Sequence, residues 1–89
     1  MKRKLLYIIN FYGINNQQRK LQEEMFELQE AITKYEYNNC YSIESIIEEL
    51  ADVQVLLDQI RFYYGIEWIE KNRVMVDKIE RQIERINSE

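Results

Sequence analysis

Apolar residues recur along this chain at helical spacing. At about 100° per residue, Leu21, Met25, Leu28, Ile32 and Tyr35 fall on one face, with Ala31 beside them. Ile46, Leu50, Val53, Leu57, Ile60 and Tyr64 form a second such stripe. Shorter runs flank these two. Leu5, Ile8, Ile9 and Tyr12 predict a first helix over residues 3–12, stopped by Gly13. The second helix is placed at residues 16–36, with Asn15 or Asn16 able to cap it. An asparagine-rich turn follows at residues 37–41. Ser42 or Ile43 opens the third helix, with Ser42 as its cap, and Gly65 closes it after Tyr64. A fourth helix spans residues 67–86, with Ile69, Val76, Ile79 and Ile83 on its apolar face. The expected fold is all-α: an antiparallel bundle of about four helices, in one domain covering residues 1–89.

The two central stripes carry acids inside them. Leu21-Gln22-Glu23-Glu24-Met25-Phe26-Glu27-Leu28 is echoed 25 residues later by Ile46-Ile47-Glu48-Glu49-Leu50-Ala51-Asp52-Val53. Glu24 lies within the first apolar arc and Glu27 at its edge; Glu49 lies within the second and Asp52 at its margin. Glu23, Glu30, Lys34 and Glu48 point to the opposite side. Buried carboxylates are costly unless paired or bound to a metal. In an antiparallel hairpin across residues 36–42, Glu27 and Asp52 stand at similar distances from the turn, so the four acids converge. Like charges crowded there repel or hold protons, and a divalent cation removes the conflict.

Composition narrows the setting. Eighty-nine residues with no disulfide framework make a marginal core, which predicts completion by oligomerisation. The absence of proline and the presence of only two glycines suit an all-helical chain. A net charge of −4 argues against nucleic acid as partner. The lone Cys40 fits a reducing cytoplasm. No apolar run approaches the roughly 18 residues that would span a membrane. Lys2-Arg3-Lys4 before a short apolar run lacks the cleavage site of a signal peptide.

The chemistry is narrowed further by the absence of histidine. That excludes a Ser-His-Asp triad, a histidine base and imidazole-dependent zinc or di-iron sites. A set of Glu24, Glu27, Glu49 and Asp52 offers oxygen alone, which suits Mg²⁺ or Mn²⁺. Mg²⁺ is commonly shared between carboxylates and substrate phosphates, which points to phosphoryl chemistry. Glu24 or Glu27 is the candidate base. Lys71, Lys78, Arg81 and Arg85 run along one side of the fourth helix. They read either as a solvated face laced with pairs such as Glu67–Lys71 and Asp77–Arg81, or as a phosphate clamp. Tyr7, Phe11, Tyr12, Tyr35, Tyr63 and Trp68 are read as packing residues in preference to a base pocket.

Glu23-Glu24-x-x-Glu27, followed after 21 residues by Glu49-x-x-Asp52, resembles the EExxE…ExxD signature of all-α nucleoside triphosphate pyrophosphohydrolases of the MazG type. Gln18, Lys20, Glu49-Leu50-Ala51-Asp52-Val53, Tyr63-Tyr64-Gly65-Ile66 and Lys78-x-x-Arg81 extend the similarity over roughly residues 12–86. The resemblance implies cleavage of a (d)NTP between its α and β phosphates, giving the monophosphate and pyrophosphate. It also implies Mg²⁺ held by Glu24, Glu27, Glu49 and Asp52, and a homodimer or homotetramer whose subunits complete the pocket. Lys78 and Arg81 would be the phosphate-binding pair. Bulky Met25-Phe26 stands where such families often place small residues. Two other readings remain at this stage: a non-catalytic helical interaction module derived from such an enzyme, and a helical oligomer whose inward acids pair with Lys or Arg across an interface.

Overall fold

A computed structural model of the protein describes residues 1–38 and 42–89. Among them there are four helices and no strand: α1 (Lys2–Tyr12), α2 (Ile14–Asn38), α3 (Ile43–Tyr63) and α4 (Trp68–Ser88). The α1–α2 junction is tighter than the pattern suggested. Gly13 has a φ of 91°, open to glycine at little cost. Its N–H closes α1 on Ile9 O (2.7 Å), while its own carbonyl accepts from Gln17 N (3.1 Å) to open α2. Asn15 and Asn16 are therefore helical and do not cap; Asn16 Nδ2 instead donates back to Tyr12 O at 2.7 Å. At its other end α2 runs through Tyr37 and Asn38, which had been assigned to a turn. The remainder of that expected turn, Asn39, Cys40 and Tyr41, lies outside the described residues.

The ends of α3 follow their local sequence. Ser42 is extended and its Oγ accepts the Ser45 N–H at 3.3 Å, so the cap is the expected one. Glu44 in the first turn and Arg61 in the last complement the helix dipole. Gly65, with φ 67°, ends the helix in a reciprocal pair of bonds: Gly65 N to Phe62 O (3.1 Å) and Ile66 N to Arg61 O (3.0 Å). Arg61 reinforces the joint. Its Nη1 donates to Ile66 O at 3.1 Å, its guanidinium lies 4.3 Å from the Phe62 ring centre, and Asp58 stands 3.7 Å from its Nε.

α2 and α3 are antiparallel neighbours. Gln17 meets Gln59 at one level, and Glu24 meets Asp52 about two helical turns further along. α1 packs on both, mainly on α3, and its Ile9 is fully enclosed. The apolar core consists of Leu5, Ile9, Ala31, Val53 and Leu56. The expected stripes are only partly covered: Met25, Ile32, Leu50, Leu57 and Tyr64 remain between 42% and 63% exposed.

The described residues form the expected all-helical, bundle-like arrangement of four helices, with α1, α2 and α3 in closest backbone contact. α4 stands further out: its backbone makes no close approach to the other helices and none of its residues is fully buried, but Lys71 and Met75 line a cleft with Gln54, Leu57, Asp58 and Arg61 of α3. Accordingly the radius of gyration is 16.1 Å, against about 12 Å for a compact domain of this length. α4 is nonetheless amphipathic, and Val76, Ile79 and Ile83 stand about half exposed along its apolar side. No helix among the described residues is long and apolar enough to cross a membrane.

Candidate metal centre

Glu24 from α2 and Glu49 and Asp52 from α3 each place one carboxylate oxygen within 4.8 Å of the others. Glu24 is buried, Glu49 half-buried and Asp52 exposed, so the set runs from the interior out to the solvent. Glu24 is only 7% exposed. Its Oε1 accepts from Lys20 Nζ at 3.2 Å. Its Oε2 is buried without a partner, and so is Oε2 of Glu49. An unmatched buried acceptor carries a desolvation cost, which either a bound cation or a proton held between the crowded carboxylates would relieve.

The electrostatics agree with that crowding. Glu49's carboxyl is held above its ordinary value first by burial, then by the charges of Glu27, Asp52 and Glu24. Glu27's is raised first by the charge of Glu24, then by desolvation. Glu27 thus shares the field of the other three while standing outside their tight set. It lines a separate cleft with Arg19, Gln22, Glu23 and Phe26. An all-oxygen donor set with two orphaned oxygens fits a hard divalent cation, and the group could hold a metal ion.

On the other side of α2, Gln17, Lys20, Glu24, Asp52, Val55 and Leu56 line a cleft of about 230 Å³. Its floor is polar and self-satisfied: Gln17 Nε2 donates to Gln59 Oε1 at 2.9 Å, with both side chains buried. Lys20 guards the side. Its ammonium is stabilised in the charged form by its hydrogen bond to Glu24 and by that residue's charge, so its pKa is raised. Glu23, 3.8 Å from Lys20, faces water as the pattern required, and so does Glu48.

The expected phosphate-binding residues are elsewhere. Lys78 and Arg81 are exposed on α4, which does not approach the acids of its own chain. The expected Glu67–Lys71 and Asp77–Arg81 pairs are not formed among the described residues. Sequence reasoning gave no role to Gln17, Lys20 or Gln59. The signal was present: Lys20 precedes Glu24 by one helical turn, and Gln17 precedes it by about two on the same face. No protein-family profile matches the chain, and no curated protein or solved structure matches it.

Proposed function

We propose that the chain is a nucleotide pyrophosphohydrolase of the MazG type, cleaving a (d)NTP between its α and β phosphates to (d)NMP and pyrophosphate. The observation that carries this reading is the meeting of Glu24, Glu49 and Asp52 with two buried, unpartnered carboxylate oxygens. The resemblance of the doubled acidic motif supplies the reaction class. Glu24, Glu49 and Asp52 hold Mg²⁺ or Mn²⁺, with Glu27 at the margin of the set. A divalent ion bound there would polarise phosphate oxygens and acidify a water. Glu27, its proton affinity lifted by Glu24, takes the water's proton more readily than an isolated glutamate would, and is preferred to Glu24 as the base because Glu24 is committed to the cation.

The reading includes a homodimer or homotetramer. α4 offers an apolar side that its own chain leaves open, so a second copy covers it, and Lys78 and Arg81 reach phosphates only across that interface. The lone cysteine is compatible with a cytoplasmic enzyme.

The test is product analysis on purified protein with a panel of NTPs and dNTPs, with Mg²⁺ or Mn²⁺. Pyrophosphate release that is lost in Glu49→Gln, with helical circular dichroism unchanged, is the expected outcome. Orthophosphate as product, or undiminished turnover in that variant, refutes the assignment. A second reading, a non-catalytic interaction module, is favoured by one observation: Met25 and Phe26, beside the acids, are 52% and 67% exposed. Cation binding without hydrolysis across the whole panel would select it.

A further inference from the structure

We infer that Lys20 is an exchangeable counter-cation of the acidic centre: it occupies Glu24 while no divalent ion is bound, and turns to the substrate's phosphate oxygens when one is. This rests on the reading of Glu24, Glu49 and Asp52 as a cation site, and adds a residue to it. Lys20 Nζ lies 3.2 Å from the Oε1 of Glu24 and lines the same cleft as Glu24 and Asp52. The ammonium covers one oxygen of Glu24 and leaves the other, Oε2, buried and unmatched. One positive charge therefore answers only part of a cluster built from three carboxylates.

The mobility this requires is available. The Lys20 side chain is 53% exposed, whereas that of Glu24 is 9% exposed. Lys20 can leave through solvent without uncovering the core; Glu24 cannot. A divalent ion among the three acids and an ammonium on Glu24 would be like charges in one small cleft, so occupancy by one opposes the other. An ammonium on a flexible four-carbon stem is a point charge that can re-aim without the geometric demands of a guanidinium. Displaced, it stays at the cleft that carries the acids, where an incoming polyphosphate presents negative oxygens. Cation binding and anion binding are thereby linked through one side chain, each favouring the other.

The test compares wild type, Lys20→Gln and Lys20→Arg, with circular dichroism to confirm the fold. Free Mn²⁺ is followed by electron paramagnetic resonance during titration without any anion. Mn²⁺-saturated protein is then titrated with inorganic tripolyphosphate in a calorimeter. Lys20→Gln is expected to bind Mn²⁺ about three-fold more tightly than wild type, the range of a partly exposed ion pair. It should bind tripolyphosphate about ten-fold more weakly, the loss of one charge-assisted contact. Lys20→Arg, which keeps the charge, should stay closer to wild type in the Mn²⁺ titration. Equal or weaker Mn²⁺ binding by Lys20→Gln would show Lys20 to be a structural ion pair and overturn the inference. Unchanged tripolyphosphate affinity would overturn the hand-over. Absence of Mn²⁺ binding in wild type and variants alike would remove the cation site itself, an outcome distinct from either.

Discussion

Replacing Glu24 with methionine tests whether the acidic centre is a ligand site or a packing feature. Methionine has nearly the length and the unbranched shape of glutamate, so the space between α2 and α3 stays filled. The substitution removes an acceptor oxygen that is buried without a partner, and relieving such a group is worth about 1–3 kcal/mol. It also removes the Lys20 pair, but that lysine is half in water and its loss offsets only part of the gain. For a domain of this size each kcal/mol shifts the melting temperature by about 4–8 °C. In the presence of a chelator, Glu24→Met is therefore expected to melt roughly 5 °C higher than wild type. With Mn²⁺ at a hundred times its dissociation constant, wild type should gain about 2.7 kcal/mol while the variant gains little. The order of the two melting temperatures then reverses. Melting followed by circular dichroism at matched protein concentration, with chelator and with Mn²⁺, decides it. A variant that melts below wild type without metal, or keeps the full Mn²⁺ response, refutes the reasoning.

Three further outcomes follow from other parts of the molecule. Glu27 and Glu49 both have carboxyls raised above the ordinary value of 4.5. From that value up to their raised ones the folded chain binds more protons than the unfolded chain, so their contribution makes metal-free protein more stable as pH falls. Melts from about pH 7 to about pH 5 should show this as a rise in wild type relative to the Glu27→Gln/Glu49→Gln double variant; parallel curves would deny it. Gln59→Leu strands the Gln17 amide in the interior and should cost about 1–3 kcal/mol in urea unfolding. Adding Gln17→Leu should restore most of that, and a double variant no better than the single would refute the pairing. Ile79→Glu with Ile83→Glu, both on the open side of α4, should convert an oligomer to monomers in light scattering while helicity is kept; a wild-type chain that is already monomeric rejects the interface.

How much of this was legible depended on whether a local rule or a three-body arrangement decided it. Ser42 and Gly65 obey rules written within four residues of themselves, and both ends of α3 lie where those rules put them. The inward phase of Glu24 and Glu49 also follows from one helix at a time. The start of α2 was missed because Gly13 serves two helices at once, and a capping rule considers only one. The stripes misled differently. Met25 and Leu50 share the period of Ala31 and Val53, yet α1 covers only part of each face, and periodicity does not say how wide a neighbour is. Leu56 is core because of where α1 and α2 meet α3, outside the expected stripe. The fourth helix was legible as a helix and illegible as a partner: an amphipathic face demands cover without naming the chain that gives it.

The three buried polar residues divide along physical lines that bear on the site. Gln17 and Gln59 are joined to one another by a buried amide hydrogen bond. Glu24 has an oxygen that nothing among the described residues satisfies. Beside the five buried apolar side chains among the described residues, neither arrangement is cheap, and they do different work. The glutamine pair fixes how α2 and α3 stand against each other, because a slip of one helical turn, about 5.4 Å, would leave both amides unmatched. Glu24 lies beyond Gln17 by the same interval that separates Asp52 from Gln59. The register that satisfies the amides is thus the one that brings Glu24 to Asp52 and Glu49. A structural bond two turns away sets the spacing of the acids, and the unmet valence left among them is available to an ion from outside.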